Sequence, residues 1–569
     1  MSSLLAMCIL PKVDLDLNLT SPAHSVYAKS IQIKTTVGSD DVVANANSLR
    51  LPNHSNAKLF QIESELGTES SNVNNWIMVN HDIYGTRSSA QTMINASNVA
   101  KLKLKWILIN DAEVQDPPIV IDGKGYVQDY TGTVIAFDTH SGKVIWKLHI
   151  GNGPTMGLTF NNGLIFASAA FDADVLAINA TNGNVVWKSP VLGNPDAGYN
   201  IPTFPIVWKD YVIVGSAGHD DSSGGVVSVK GNITALNRTN GNVIWNLHTT
   251  AGDWVSHSAP EYNAGANDWS GGSIDPKTGI IYMPIGSASP NFNADSRQSP
   301  NLYSNYMIAV NITNGEIIWA TPFIAHGTVL NVRVPDTHDW DTSWGSSVSR
   351  VNYDNGTEKK LVIGHDKMGN IMAMDATAGH PVWWKTIGPN YNIDSLPSRS
   401  GSGMIWFYGI SNFHAVDDST NSLYISATNR GVNYFLDGIA GHKKTAPNTI
   451  QDGMRNGTII AMDMRSGKVK WQLPTEFPPR VSPLVTGKIV FVGYIPFSEK
   501  DKTSRSGIVL ALDKQTGSKL WEYDLHAPIG QVGPSIAGGM LFVPTGRIHE
   551  NQDGGSTSGG GSIAAFGLP

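Results

Sequence analysis

The chain of 569 residues carries 40 basic and 47 acidic side chains, a formal net charge of −7 and only 15% charged residues. That balance is too weakly basic for a nucleic-acid surface, and no apolar run approaches the roughly 18–20 residues of a membrane span. The lone cysteine, Cys8, leaves no disulfide framework, no cysteine zinc site and no Cys-x-x-Cys-His haem attachment.

Residues 1–71 lack periodicity and are rich in Ser, Asn and Ala. Leu4-Leu-Ala-Met-Cys-Ile-Leu10 is a short apolar run, and Val26-Tyr27-Ala28 could end a cleavable segment. No Lys or Arg precedes Leu4, however, and Pro11-Lys12 interrupts early. The stretch reads as a degraded or mis-started signal peptide followed by a disordered linker, with a plain polar arm as the alternative. Nine Asn-x-Ser/Thr sequons, among them Asn95, Asn232, Asn355 and Asn456, fit a secreted glycoprotein but lie near the number expected by chance. The expected location is extracytoplasmic, secreted or periplasmic-like.

From Trp76 the texture changes. Trp76-x4-His81-Asp82-x2-Gly85-Thr-Arg87 is a turn-rich lead-in, and the residues from Met93 to Trp106 approach a first strand. A hairpin signature then recurs as Ala136…Asp138…Gly142…Trp146 and Ala177…Asn179…Gly183…Trp187. It continues as Ala235…Asn237…Gly241…Trp245, Ala309…Asn311…Gly315…Trp319 and Ala373…Asp375…Gly379…Trp383. Ala461…Asp463…Gly467…Trp471 and Ala511…Asp513…Gly517…Trp521 complete the series. In each, the Asp or Asn can bond its own backbone two residues on, Gly can take the positive φ that ends the turn, and the flanks alternate as strands do. An eighth copy is split: Ile563-Ala564-Ala565-Phe566 supplies one strand and Leu102-Lys-Leu104-Lys-Trp106 the other.

Self-similarity at this period, with short strands and one aromatic per unit, predicts an all-β, eight-bladed propeller of four-stranded antiparallel blades. The tryptophans should fill the wedges between blades, and the split copy should close the ring with N- and C-terminal strands. The expected division is a leader over 1–71 and one propeller over 72–569. Successive tryptophans are 40 and 41 residues apart at first, then up to 88 apart between Trp383 and Trp471. A blade needs about 40–50 residues, so the excess is loop, where a propeller carries its chemistry. The Gly554–Gly561 run reads as a flexible loop of the last blade.

These hairpins resemble those of the pyrroloquinoline-quinone (PQQ)-dependent dehydrogenases, the quinoprotein alcohol and sugar oxidisers. The lead-in Trp76…Gly85-Thr-Arg87…Asn98-Val99…Leu102…Trp106 is similar to that family's start, as is Trp269-Ser-Gly-Gly-Ser-Ile-Asp275-Pro-Lys-Thr-Gly279. A flat quinone needs an aromatic face, a cation beside its carbonyl, a carboxylate to take the alcohol proton, and oxygen ligands for a metal. The resemblance implies Trp269 as the stacking platform and Lys367, in Asp366-Lys367-Met-Gly369, as the partner of the quinone oxygens. Thr337-His338-Asp339-Trp340-Asp341 matches the family's base-bearing segment with one residue missing. It implies Asp341 as base with Asp339 as competitor, though the two carboxylates could equally be a cation site or a solvated loop. For the metal, calcium or a lanthanide, the implied ligands are Ser287, Asp341, Asp220 and Asp221. Each of these residues has a plain alternative: a packing Trp, a surface Lys, a polar loop.

The chain also departs from the family. Gly151-Asn-Gly153-Pro-Thr-Met-Gly157 stands where an adjacent cysteine pair is usual, and Thr155-Met156 replaces the Asn-Arg that follows it. Ser287 replaces a metal-binding Asn, His219-Asp220-Asp221 is only a shifted counterpart of a metal-binding Glu, and Gln115 stands near an expected acidic position. The implied function is oxidation of an alcohol or sugar hydroxyl by hydride transfer to PQQ, with electrons passing to a separate acceptor. The alternative is a non-catalytic propeller of the same repeat type acting as an extracytoplasmic interaction or assembly scaffold. A weaker third reading is a metal-dependent enzyme or glycan binder. His219, His257, His326, His338, His365 and His414 could together build a copper or zinc site, but no local spacing marks one, so each reads as an ordinary loop histidine.

Overall fold

The computed structural model describes residues 74–153, 155–217, 229–249, 267–286, 303–323, 344–388, 400–437, 456–494, 507–546 and 560–569, with short strands at Ala264–Gly265, Ala288–Ser289 and Lys443–Lys444. The leader with Cys8 and nearly all of the terminal glycine run lie outside them. Among the described residues no helix is long and apolar enough to cross a membrane.

Eight four-stranded antiparallel sheets follow one another around a ring. Blade 1 shows the pattern: Ile119–Ile121 innermost, then Lys124–Gln128, Thr133–Asp138 and outermost Val144–His149. Its two middle strands are almost wholly buried, while the outermost alternates half-buried with exposed residues. That is the burial expected of strands packed on both faces versus a solvated edge. Blades 2 to 7 span 159–188, 206–248, 273–322, 347–386, 400–475 and 484–524. Blade 8 is the split one: Ser535–Ala537, Met540–Thr545, Gly561–Gly567 and, from the other end of the chain, Lys103–Asn110. The ring closes as the sequence predicts.

The repeat explains itself at the hairpins. In all eight blades the motif alanine is fully buried and lies directly opposite the motif tryptophan, from Ala136 against Trp146 to Ala565 against Trp106. Asp513 Oδ1 accepts the backbone N–H of Gln515 at 3.0 Å, and Asn311 Oδ1 that of Thr313 at 2.9 Å, which fixes the turn. Each tryptophan from Trp106 to Trp471 then reaches the next blade. Its indole N–H donates to a hairpin carbonyl, as Trp319 does to Ala376 at 3.0 Å and Trp383 to Met464 at 2.6 Å. Its ring covers the hairpin glycine.

Glycine is required there twice over. Gly379 has φ +73°, and a Cβ on it would lie 2.6 Å from the Trp319 ring. We expect Gly379→Ala to lower stability by about 2–4 kcal/mol in denaturant unfolding, the sum of left-handed strain and overpacking. Gly163 is the control: its φ is +77° but nothing lies within 4 Å, so Gly163→Ala should lose only about 1 kcal/mol. Equal losses at the two positions would mean that docking contributes nothing.

The lead-in segment is more than a turn-rich approach. It runs along the inner strands of successive blades, hydrogen-bonding to blades 1, 2 and 4 to 7 and packing at blade 3. Trp76 pairs with Val120 of blade 1, and Ile77 C=O accepts from Phe160 of blade 2. Val79 packs with Phe204 and Ile206 at blade 3. Then Ile83, Tyr84, Thr86 and Arg87 carbonyls accept from Ile274, Val348, Val416 and Val485 of blades 4 to 7, at 2.6–2.9 Å. Ser88–Ser89 ends the run as a short parallel strand on blade 7. Arg87 is fully buried, and its guanidinium donates to Val79, Pro483 and Pro534 carbonyls at 2.9, 2.8 and 3.1 Å. It thereby clasps the start of the segment to blade 7 and to the approach of blade 8.

Candidate functional site

Because neighbouring strands alternate in direction, every loop leading to an innermost strand opens on the same face as every turn between second and third strands. The docking hairpins lie on the opposite face. Trp269, Trp344, Phe413 and Asp116 belong to the first kind of loop and Lys367 to the second, so the topology gathers them on one face around the axis.

Trp269 lies just ahead of the innermost strand of blade 4, Ser273–Asp275. Asp268 Oδ1 accepts Gly271 N–H at 3.1 Å, and Ser270 Oγ accepts Gly345 N–H at 2.9 Å, so this loop is tied internally and to blade 5. The Trp269 ring meets Trp344 edge-on, centroids 4.7 Å apart at 83°. Trp344 in turn meets Phe413 at 5.8 Å, and Phe413 meets Phe204 at 6.5 Å. Four blades thus contribute to one aromatic wall. Edge-to-face pairs hold each ring plane at about 0.5–1.5 kcal/mol apiece beyond area burial.

Lys367 sits in the turn between Glu358–His365 and Asn370–Asp375 of blade 5. Asp366 sets that turn: its carboxylate accepts from the backbone N–H of Met368 and Asn370 and from Asn370 Nδ2, at 3.0, 2.8 and 2.7 Å. The Lys367 ammonium stands over the Trp269 ring, 5.4 Å from its centroid. Two residues singled out from separate blades, 98 positions apart, therefore meet. The ammonium takes the face on which a flat ring would stack, and its four-carbon stem allows it to move to the edge of such a ring.

The sequence reading missed a third group. Asp116, ahead of the innermost strand of blade 1, is buried, and its Oδ1 has no hydrogen-bond partner. Desolvation pushes its carboxyl well above the usual range. A Cβ on Gly157, ahead of the innermost strand of blade 2, would approach Asp116 Cβ to 3.4 Å and Val79 to 2.6 Å, so glycine lets the two blades and the lead-in segment pack closely there. Gln115, the neighbour singled out instead, donates from Nε2 to Glu113 at 3.3 Å. The one available signal was an acidic residue beside the expected position. Met156 packs on the same apolar cluster as Trp269, and Thr155 is buried.

An aromatic face, a cation above it and a buried acid with an unused oxygen fit a flat, carbonyl-bearing ring such as a quinone. Asp341, Asp339, Ser287, Asp220 and Asp221 lie outside the described residues, as do His219, His257, His326 and His338. Among the described residues no group of three or more His, Cys, Asp and Glu side chains could hold a metal.

A tryptophan-docked, eight-bladed propeller with its loops gathered on one axial face is the class of protein these features define. A family model described as "Glucose/ethanol/alcohol dehydrogenase, beta-propeller domain" matches residues 193–386, and one described as "Outer membrane protein assembly factor BamB" matches residues 91–260 and 453–565. The chain is 27% identical over 511 residues to the quinoprotein alcohol dehydrogenase PedH of Pseudomonas putida, covering 78% of this chain and 80% of that protein. It is 24% identical to methanol dehydrogenase (cytochrome c) subunit 1 of Methylobacterium organophilum, over 82% of each. A solved europium-containing methanol dehydrogenase superposes with a TM-score of 0.72 at 20% identity, covering 89% of this chain and all of that one. These matches support a likeness to the PQQ-dependent alcohol dehydrogenases.

Proposed function

We propose that this protein is a quinoprotein dehydrogenase that oxidises an alcohol or sugar hydroxyl and passes the electrons to a separate acceptor. The meeting of Lys367 with Trp269 carries the reading, because the two residues come from different blades and supply two different needs of one cofactor. When bound, PQQ would supply the electrophilic carbonyl that accepts hydride. Trp269 gives the stacking face and excludes water from it. Lys367 places positive charge where the carbonyl oxygen gains negative charge, which favours the reduced state. Asp116, whose protonated form burial favours, would donate a hydrogen bond to an acceptor on the ring. Asp341, or Asp339 beside it, takes the hydroxyl proton. Calcium or a lanthanide would be held by Ser287, Asp341, Asp220 and Asp221, a set with one neutral hydroxyl. The expected setting is extracytoplasmic, with residues 1–71 as leader and linker.

The experiment is a titration of purified protein with PQQ and calcium, read by quenching of tryptophan fluorescence and by cofactor absorbance. We expect saturable binding, weakened at least tenfold by Trp269→Ala and by Lys367→Ala, followed by activity on an alcohol and sugar panel. No saturable binding with calcium or a lanthanide present would overturn the reading. One observation favours a second reading: blades at both ends of the chain match the assembly-factor model. A non-catalytic scaffold would bind no quinone and would instead retain a protein partner through this same face.

A further inference from the structure

Two histidines face each other in the core where the inner strands of blades 5 and 6 meet. His365 ends the strand Glu358–His365, and His414 immediately precedes Ala415–Asp417. His414 lies in a loop, as the sequence suggests, whereas His365 is a strand residue, and neither is solvated. Both are buried, at 1% and 3% exposure, with ring centroids 5.1 Å apart and planes at 77°. His414 Nε2 and Ser347 Oγ share a hydrogen bond of 2.8 Å. His414 Nδ1 and both ring nitrogens of His365 have no partner.

Three unused ring nitrogens in one buried place are costly, at about 1–3 kcal/mol for each buried polar group left unmatched. Two imidazoles bound to one tetrahedral ion keep their nitrogens about 2.0–2.1 Å from it, which puts their ring centres about 5 Å apart. The observed spacing agrees. Burial also keeps both rings neutral, with lone pairs available. Desolvation, then His414, holds His365 well below its ordinary value, and desolvation, then Arg87, pushes His414 down to about 3. We propose that His365 and His414 are ligands of one imidazole-preferring transition-metal ion, zinc or copper, with water completing its coordination.

The donors distinguish this site from any oxygen-lined calcium or lanthanide site on the axial face, since imidazole nitrogen selects zinc and copper over hard cations. Arg87 is the charge that His414 senses, and it limits affinity for a dication. His365 is joined to Lys367 through Asp366, so an ion here would steady the turn that presents Lys367 to Trp269.

Tag-free, full-length protein expressed with added zinc or copper would be analysed for metal before and after dialysis against a chelator, then titrated with zinc, copper and calcium separately. We expect one equivalent of zinc or copper, at least tenfold weaker binding in His365→Asn and in His414→Asn, and no competition from calcium. X-ray absorption of the loaded wild type should show imidazole nitrogens near 2.0 Å, an arm that stands even if a variant fails to fold. No stoichiometric uptake, uptake unchanged in both variants, or a shell without histidine would each overturn the proposal. Uptake by both well-folded variants would place the metal at other residues.

Discussion

Arg87→Met should lower the free energy of unfolding by about 3–5 kcal/mol, and Arg87→Lys should recover only part of it. The guanidinium is fully buried and makes three hydrogen bonds to three carbonyls, those of Val79, Pro483 and Pro534, with no carboxylate among these partners. Burying a cation without a counter-ion is expensive, and desolvation pulls its pKa down to about 9. What compensates is the rigid fork of five N–H donors aimed at acceptors that would otherwise face no partner. Removing it leaves up to three buried carbonyls unmatched, at about 1–3 kcal/mol each, offset by relief of the buried charge. A lysine ammonium is a point donor and cannot span three carbonyls that come from the segment, blade 7 and the approach to blade 8. Urea unfolding at neutral pH checks this. A loss under about 1 kcal/mol would mean that the clasp is decorative.

Asp116→Asn should stabilise the protein at neutral and alkaline pH while changing little near pH 4. The folded pKa of Asp116 is raised by desolvation, so the protonated form is the one the fold favours. A raised acid contributes stability that is fully present below its unfolded value, about 3.8, and is lost as pH rises through the folded value. Over that window the wild type should lose about 1.4 kcal/mol per pH unit relative to the asparagine variant. Asp174 and Asp418 are also raised by burial, so the comparison must be between the two proteins, where those groups cancel. Melting curves from pH 4 to 9 provide the test, and parallel profiles would show that Asp116 ionises freely.

Almost the whole fold was legible because each blade repeats the same local solution. Ala, Asp or Asn, Gly and Trp at fixed spacing encode a bulged hairpin whose glycine admits a neighbour's indole, and even the split copy at Trp106 and Ala565 could be paired by eye. Trp269 and Lys367 could be singled out for a different reason, since both sit beside strand motifs that resemble the family's, and the structure brings the two side chains together. Asp116 was not, because its chemistry comes from desolvation and an unmatched oxygen, neither of which leaves a local pattern. The proximity of His365 and His414 was hidden because the sequence separates them by 49 positions and only the stacking of blades 5 and 6 brings the rings together. The role of Trp76–Arg87 was hidden similarly: a stretch that pairs with one residue from each of several sheets has no periodicity of its own.

The segment from Trp76 to Ser89 acts as a gauge of ring size. Fourteen residues reach at most about 50 Å when extended, and their pairing partners fall in blade order with little slack. Duplicating or deleting a blade would leave the hairpins intact, since each needs only its neighbour, but would put every later carbonyl out of step with its partner strand and pull Arg87 away from blade 8. Propellers are free to vary in blade number as long as nothing measures the circumference. This one carries its own tape, so its count of eight is specified twice, once by tryptophans around the outside and once by a single thread within.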